Sequence, residues 1–284
     1  KAVPQSLVIV GGGVIGMEFA SFFSSLGVSV TVIEMLEEIL GGIDHEIAAL
    51  LRADYAKRGV KFLLKTKVTR FEQEEAGTRV CYENADGEGS VVGEKVLMSV
   101  GRRPVTQGFG LENLQLERTD RGQVKVDAHL QTSVPGVYAC GDLNGVSLLA
   151  HTAVREAEVA VHHLLGIPDE MSYRAIPGIV YTNPEVASVG QSEEQLQAAG
   201  TAYRVLKLPM AFSGRFVAAN EGVNGVCKVL VDEDDTLLGV HLYGNPASEL
   251  VVLAGMMIED RRKWTEWKRY VFPHPTVGEI FREL

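Results

Sequence analysis

The most constraining stretch lies near the start of the chain, where the apolar run 7–10, Leu-Val-Ile-Val, leads straight into Gly11-Gly12-Gly13-Val14-Ile15-Gly16. A helical spacing of apolar residues continues through Phe19, Phe22 and Leu26, and a second apolar run, 28–33, ends at Glu34. Strand, glycine turn, helix and strand in that order make a βαβ unit, and that context gives the G-x-G-x-x-G pattern its meaning. Gly11 permits the tight turn, Gly13 lets backbone approach a pyrophosphate, and Gly16 allows helix and strand to pack closely. The turn, which also holds Gly12 and Ile15, opens a helix whose first N–H groups have no partner within the helix and suit phosphate oxygens.

Glu34 adds the second half of the signal. A carboxylate at the end of the second strand accepts hydrogen bonds from adenosine ribose hydroxyls and repels a 2′-phosphate. The following Met35-Leu36-Glu37-Glu38 offers no arginine to hold such a phosphate, so NAD is favoured over NADP. The motif alone does not separate NAD from FAD. The plainer alternative is a glycine turn that serves helix packing only.

Further along, apolar spacing predicts a helix over 43–58 closed by Gly59, a strand over 60–64, and an antiparallel meander over 68–95 around an Asp86-Gly87 turn. A buried strand over 96–100 follows. Residues 102–173 read as loops and short strands with one helix near 152–165. Strands are expected at 178–181, 203–208, 225–231 and 237–243, with helices at 247–258 and 276–284. The expected fold class is therefore α/β with α+β. A Rossmann-like domain occupies 1–101, a central region 102–174, and an α+β domain 175–284.

Composition excludes several functions. With a formal net charge of −10 and a pI near 5.3, the chain lacks the cationic balance that nucleic acid rewards. Its one basic cluster, Arg261, Arg262, Lys263, Lys268 and Arg269, is interrupted by Asp260 and Glu266. With Trp264 and Trp267 at helical spacing, it reads as a solvated, partly packed helix. No apolar run reaches the roughly 20 residues a membrane helix needs, and Lys1 opens no signal-peptide pattern, so a cytoplasmic protein is expected. Cys81, Cys140 and Cys227 are too dispersed for a redox or metal motif, and inert thiols are expected. The adjacent His162 and His163 have the wrong spacing for a metal and are expected on the surface.

Taken in order, the motifs resemble the flavin disulfide oxidoreductases, and dihydrolipoamide dehydrogenases most closely. Those motifs are the fingerprint over 10–18, Ser99-Val100-Gly101-Arg102-Arg103-Pro104, Ala139-Cys140-Gly141-Asp142, Leu148-Leu149-Ala150-His151, Tyr181-Thr182-Asn183-Pro184-Glu185, and His274-Pro275-Thr276 with Glu279. The resemblance implies that Glu18, Val68 and Gly101 join the glycines and Glu34 in lining an NAD site. It also implies that Asp142 accepts a hydrogen bond from the ribityl or pyrophosphate part of FAD, and that Leu148, Leu149, Ala150 and His151 pass beneath the isoalloxazine. His151 acts there mainly through its backbone. Without the resemblance, Gly141-Asp142 would read as an ordinary turn.

An acid/base group is needed because a dithiol must lose protons before it attacks a disulfide, and imidazole titrates near neutrality. His274 is the candidate, with Glu279 to hold its ring. Thr276-Val277-Gly278-Glu279 also fits a capping box, in which Glu279 would satisfy backbone donors instead. The resemblance implies the acid/base role, exercised in the partner subunit's site of a homodimer. Many relatives carry another histidine where this chain has Phe272.

The family's flavin-binding half and its Cys-x-x-x-x-Cys pair have no counterpart in these residues, so tight FAD retention is not expected and the isolated chain is expected to be inactive. The implied parent oxidises dihydrolipoamide on the lipoyl domain of a 2-oxoacid dehydrogenase or glycine cleavage complex. A soluble transhydrogenase relative, or a non-catalytic NAD-binding and dimerisation module, stays open. Arginines after the second strand would mark glutathione-type reductases, and a C-terminal cysteine pair mercuric reductases. The chain shows neither feature.

Overall fold

The computed structural model describes residues 2–284, and their contacts gather into two units, one running to Val100 and resuming at Pro177–Leu284, the other Gly101–Ile176. The first unit opens with β1 (Ser6–Val10), α1 (Val14–Ser25), β2 (Ser29–Ile33), α2 (His45–Lys57) and β3 (Lys61–Leu63). Three antiparallel strands follow, β4 (Lys67–Glu74), β5 (Gly77–Asn84) and β6 (Gly87–Gly93), and then β7 (Lys95–Met98). Strands β3, β2, β1 and β7 lie side by side in that order, all parallel. Leu7, Val8, Ile9 and Val10 are all buried, as a parallel strand covered on both faces requires. One face carries Met17 and Ala20 of α1 with Ile47, Leu51 and Tyr55 of α2. On the other, Val8, Val10 and Ile33 meet Val80 of the meander, which thus covers the sheet.

The expected helix over 43–58 begins two residues later because the Asp44 side chain accepts the Ile47 N–H and caps α2. Gly59 closes it with φ +93°, a left-handed conformation suited to glycine. Gly87, at φ +111°, joins β5 to β6 at the expected turn.

The second unit contains one long helix, α3 (Ala150–Leu164). The short strands expected here reduce to isolated pairings of Arg118 with Val124 and Gln131 with Tyr138. Leu130, Val159, Ala160 and Met171 form its core. His162 and His163, expected on the surface, are half-buried and engaged. His162 Nδ1 lies 2.7 Å from Asp169, and His163 stacks on His129 at 4.5 Å with Nδ1 2.7 Å from the Tyr138 hydroxyl.

The first unit resumes with β8 (Gly178–Val180), β9 (Val186–Gly190), α4 (Glu193–Ala198), β10 (Arg204–Pro209), α5 (Gly214–Ala219), β11 (Val226–Val231) and β12 (Leu237–Tyr243). Helices α6 (Ala247–Glu259) and α7 (Ile280–Glu283) complete it. The antiparallel sheet runs β10-β11-β12-β9-β8. β9, α4 and α5 are additions to the elements expected from apolar spacing. Trp264–Arg269 is a 3-10 turn, in which Trp267 is buried against Phe281 with ring centres 4.6 Å apart. The helix expected over 276–284 is a 3-10 turn, Val277–Glu279, followed by α7.

The parallel sheet and the five-stranded antiparallel sheet share one core, since Val180, Val186 and Tyr243 cluster with residues of β1, β2, α1 and α2. A buried ion pair crosses the same boundary. Lys228 of β11 places its Nζ 2.9 Å from each Asp44 oxygen, with Glu46 at 3.1 Å and Glu193 at 3.4 Å. Burial opposes the ammonium charge most strongly, but Asp44 and the other carboxylates outweigh it and hold the Lys228 pKa above its ordinary value. Burial likewise opposes the Asp44 charge, and the Lys228 hydrogen bond reverses the balance, leaving that pKa lowered. Beside the pair, buried His241 sets Nε2 3.0 Å from the Gln191 carbonyl, while Nδ1 has no partner among the described residues. Burial, ahead of the Lys228 charge, holds its pKa below 6.5.

Lys228→Met leaves Asp44 buried without its countercharge and is expected to lower unfolding free energy by about 3–5 kcal/mol in urea denaturation. A lowered histidine pKa means that the folded state binds fewer protons than the unfolded one. The His241 contribution is therefore complete above pH 6.5 and is lost as pH falls through the folded pKa. His241→Gln should flatten that part of the urea-midpoint profile, and an unchanged slope would reject this assignment.

Candidate functional site

The fingerprint turn is held almost entirely by backbone hydrogen bonds. The Gly11 N–H donates to the Ile33 carbonyl at 2.9 Å, the Ser99 N–H to the Val10 carbonyl at 2.8 Å, and the Leu40 N–H to the Gly12 carbonyl at 2.9 Å. Gly11 has φ +103°, and a Cβ there would lie 2.4 Å from the Ser99 carbonyl oxygen. A Cβ at Gly16 would lie 2.0 Å from the Gly11 carbonyl oxygen, so that glycine makes room for the turn as well as for helix packing. At Gly13 a Cβ would meet no described atom within 4 Å, so its absence keeps clear the space just outside the helix start. Gly13 is the N-cap of α1, no side chain caps the helix, and no acidic residue stands in its first turn. No acidic residue of that first turn opposes an anion at these donors, and the residues fit a pyrophosphate.

Glu34 meets this turn directly. Its Oε2 accepts the Gly12 N–H at 2.7 Å and its Oε1 the Leu36 N–H at 2.8 Å, so each oxygen keeps a lone pair for a ribose hydroxyl. Behind the following loop, Glu38 takes Arg52 in a bidentate pair at 2.7 and 2.8 Å. Ile15 is exposed on α1, and Val68 is half-buried beside the Val8, Val10 and Ile33 cluster. Glu18 Oε1 accepts the Tyr181 N–H at 2.9 Å, tying α1 to the loop after β8. Near it, the Asn183 carbonyl accepts the Tyr55 hydroxyl at 3.0 Å and the Arg58 guanidinium at 2.6 Å.

At the other end of the first unit, His274 is exposed and its Nδ1 lies 2.9 Å from Glu279 Oε1. Glu279 Oε2 accepts the Thr276 N–H at 2.8 Å. The two roles set against each other in the sequence therefore coexist, one on each carboxylate oxygen. The Glu279 pKa is lowered, chiefly by the Thr276 N–H and next by His274, so the carboxylate acts as acceptor. An acceptor opposite Nδ1 requires the proton on Nδ1 and leaves Nε2 of the neutral ring free to take one.

The second unit carries the remaining candidates. Gly101 opens it with φ +114°. Asp142 is half-buried in a 3-10 turn, with Arg102 3.1 Å from its carboxylate. Leu149 is the N-cap of α3, Leu148 is exposed, and Ala150 and His151 begin the helix with both residues exposed. The buried Glu156, one turn further along α3, accepts the Gly141 N–H at 2.5 Å and the Tyr173 hydroxyl at 2.7 Å. It thereby fixes the turn that presents Asp142. Burial, with Glu156 next, pushes the Tyr173 pKa up. The turn leaves a carboxylate accessible to hydroxyl donors, which fits the ribityl contact implied for it.

Cys81 and Cys227 are buried, and Cys140 is half-buried, with burial raising the pKa of Cys140 and Cys227. Among the described residues no histidine, cysteine or carboxylate cluster could hold a metal, and no helix is long and apolar enough to cross a membrane.

A family model described as pyridine nucleotide-disulphide oxidoreductase matches residues 1–157, and that family's dimerisation domain matches 176–284. The chain belongs to the pyridine nucleotide-disulphide oxidoreductases. The chain is 40% identical over 285 residues to mitochondrial dihydrolipoyl dehydrogenase of Caenorhabditis elegans, matching 99% of the chain and 57% of that protein. It is 39% identical to dihydrolipoyl dehydrogenase of Thermus scotoductus, matching 100% of the chain and 62% of that protein. Among solved structures, LpdA of Mycobacterium tuberculosis superposes with a TM-score of 0.90 at 29% identity, over 99% of this chain and 62% of that one. The flavoprotein disulfide reductase RclA of Escherichia coli, solved as a Cu(II) complex, gives 0.90 at 28% identity, over 100% of this chain and 64% of that one. The chain thus spans less than two thirds of each of these relatives' length, and its fold is the mixed α/β one expected.

Two supporting groups escaped the motifs. Glu156 lies one helical turn after Thr152 and one before Ala160, a buried face that spacing could have revealed. Ser99 stood inside a quoted motif with no role given to it. For His274, heteronuclear NMR of labelled histidine above neutral pH is expected to show the proton on Nδ1, and a ring protonated only on Nε2 would refute the Glu279 pairing in solution.

Proposed function

We propose that the chain binds NAD(H) on the fingerprint turn and is part of an FAD-dependent dihydrolipoamide dehydrogenase, in which dihydrolipoamide is oxidised to lipoamide. The observation that carries the reading is the uncapped start of α1 facing open space beside a Glu34 carboxylate already oriented by Gly12 and Leu36. Gly11, Gly12, Gly13, Ile15 and Gly16 form the pyrophosphate cradle, Glu34 takes the ribose hydroxyls, and Val68 and Gly101 line the nucleotide. Glu18 holds the adjoining loop at Tyr181. When bound, NAD supplies the hydride acceptor. His274 receives a thiol proton at Nε2 while Glu279 stabilises the resulting imidazolium through Nδ1.

Asp142, Leu148, Leu149, Ala150 and His151 are the residues that would contact FAD. The proposed tripartite organisation assigns 1–101 to nucleotide binding, 102–174 to flavin contact and 175–284 to dimerisation. Homodimerisation is supported by the apolar groove of about 390 Å³ lined by Leu253, Met256, Trp267, Tyr270, Val271 and Phe272. The parent's partner is a lipoyl domain, and its compartment the cytoplasm. The flavin half and redox disulfide would come from sequence other than these residues. Because no two of its cysteines stand at the required spacing, the chain by itself acts as an NAD-binding and dimerisation module.

Titration of the purified chain with NADH, followed by fluorescence, should saturate. Glu34→Arg should weaken NADH binding roughly ten- to a hundredfold and move the preference towards NADPH. Equal preference in the variant and the parent sequence would reject the ribose assignment.

A further inference from the structure

We propose that Ser99 is a positioning residue of the nucleotide site, one that locks the peptide between Gly11 and Gly12 in the orientation that binding needs. The inference rests on reading the fingerprint turn as the NAD site. That single peptide plane is gripped from both sides. Its carbonyl, on Gly11, accepts the Ser99 hydroxyl at 2.8 Å, and its N–H, on Gly12, donates to Glu34 Oε2 at 2.7 Å. The same hydroxyl lies 3.1 Å from the Val10 carbonyl, the longer of its two contacts.

A lock is required because the plane has a glycine on each side. Glycine reaches both signs of φ at little cost, so a Gly-Gly peptide can turn over where others cannot. Turning it would swing the Gly11 carbonyl dipole around and withdraw the N–H from Glu34. The ribose acid would lose a partner that orients it, and a carbonyl oxygen could face the phosphates. Space at the lock is tight, since a Cβ on Gly16 would lie 2.9 Å from Ser99 Oγ. The third fingerprint glycine thus leaves room for the hydroxyl as well as for the turn. Ser99 is half-buried at the end of β7, on the strand beside β1, where the sheet fixes its backbone through the N–H bond to Val10.

Ser99 and Glu34 therefore act on one object and should be energetically coupled, which general loosening of the fold would not produce. The test is a double-mutant cycle read as NADH dissociation constants for the parent chain, Ser99→Ala, Glu34→Ala and the double variant, with thermal midpoints recorded alongside. Ser99→Ala is expected to weaken NADH binding about fivefold in the parent chain, the effect of one neutral hydrogen bond. In the Glu34→Ala background, where the N–H side is already released, it should cost less than about twofold. An unchanged constant for Ser99→Ala alone, or the same factor in both backgrounds, overturns the proposal while leaving the NAD reading intact. Absence of NADH binding by the parent chain removes both.

Discussion

Asp44 joins two requirements that would otherwise be met separately. Its carboxylate caps α2 at Ile47 and accepts Lys228 from the neighbouring antiparallel sheet, all without exposure to water. A buried carboxylate and a buried ammonium are each unfavourable alone, so helix start and strand must come together for either charge to be tolerated. That condition places the beginning of α2 against β11, and the loop before α2 is the one that runs from Glu34 past Glu38. The fingerprint turn therefore rests on a framework set by an ion pair whose lysine is distant from it in sequence.

The same economy recurs wherever a carboxylate shapes a candidate site. Glu34 gives one oxygen to Gly12 and the other to Leu36; Glu279 divides its oxygens between Thr276 and His274; Glu156 divides its own between Gly141 and Tyr173. Each carboxylate orients a backbone turn with one oxygen and leaves the second to a functional or anchoring neighbour. An ionised carboxylate suits this use because it only accepts, so every group it meets must present a proton to it. For His274 that restriction sets the tautomer, which a neutral amide in place of Glu279 would not do.

Much of this was legible in the sequence because it is local. The βαβ unit announces itself through two apolar runs, a glycine turn and Glu34, and the structure places them as expected. The His274 and Glu279 pair is also local, so spacing could name both residues but could not choose between capping and pairing; only the split of the two oxygens resolves that. The misses are short or nonlocal. β9, α4 and α5 are too brief for periodicity to distinguish from loop, and the strands expected over 102–173 were alternations that found no sheet to join. His162 and His163 read as surface residues because their partners, Asp169, Tyr138 and His129, are brought to them by folding. Lys228 gave no signal at all, since nothing in a strand sequence says that an ammonium will find a carboxylate from a distant helix.

Under the proposed ribose role of Glu34, a change of charge there shifts nucleotide preference only at a cost to the turn itself. Replacing the carboxylate removes the repulsion that disfavours a 2′-phosphate, yet it also removes the acceptor for the Gly12 N–H. An arginine there offers donors only, so the Gly12 donor would face another donor instead of an acceptor. A 2′-phosphate could satisfy both the arginine and the freed N–H, but only after the nucleotide has bound. The nucleotide-free turn would then carry the cost of the unmet donor, and binding would have to order it. The wild-type carboxylate avoids that step by holding the turn in place before any ligand arrives, so specificity and preorganisation at this position are properties of the same two oxygens.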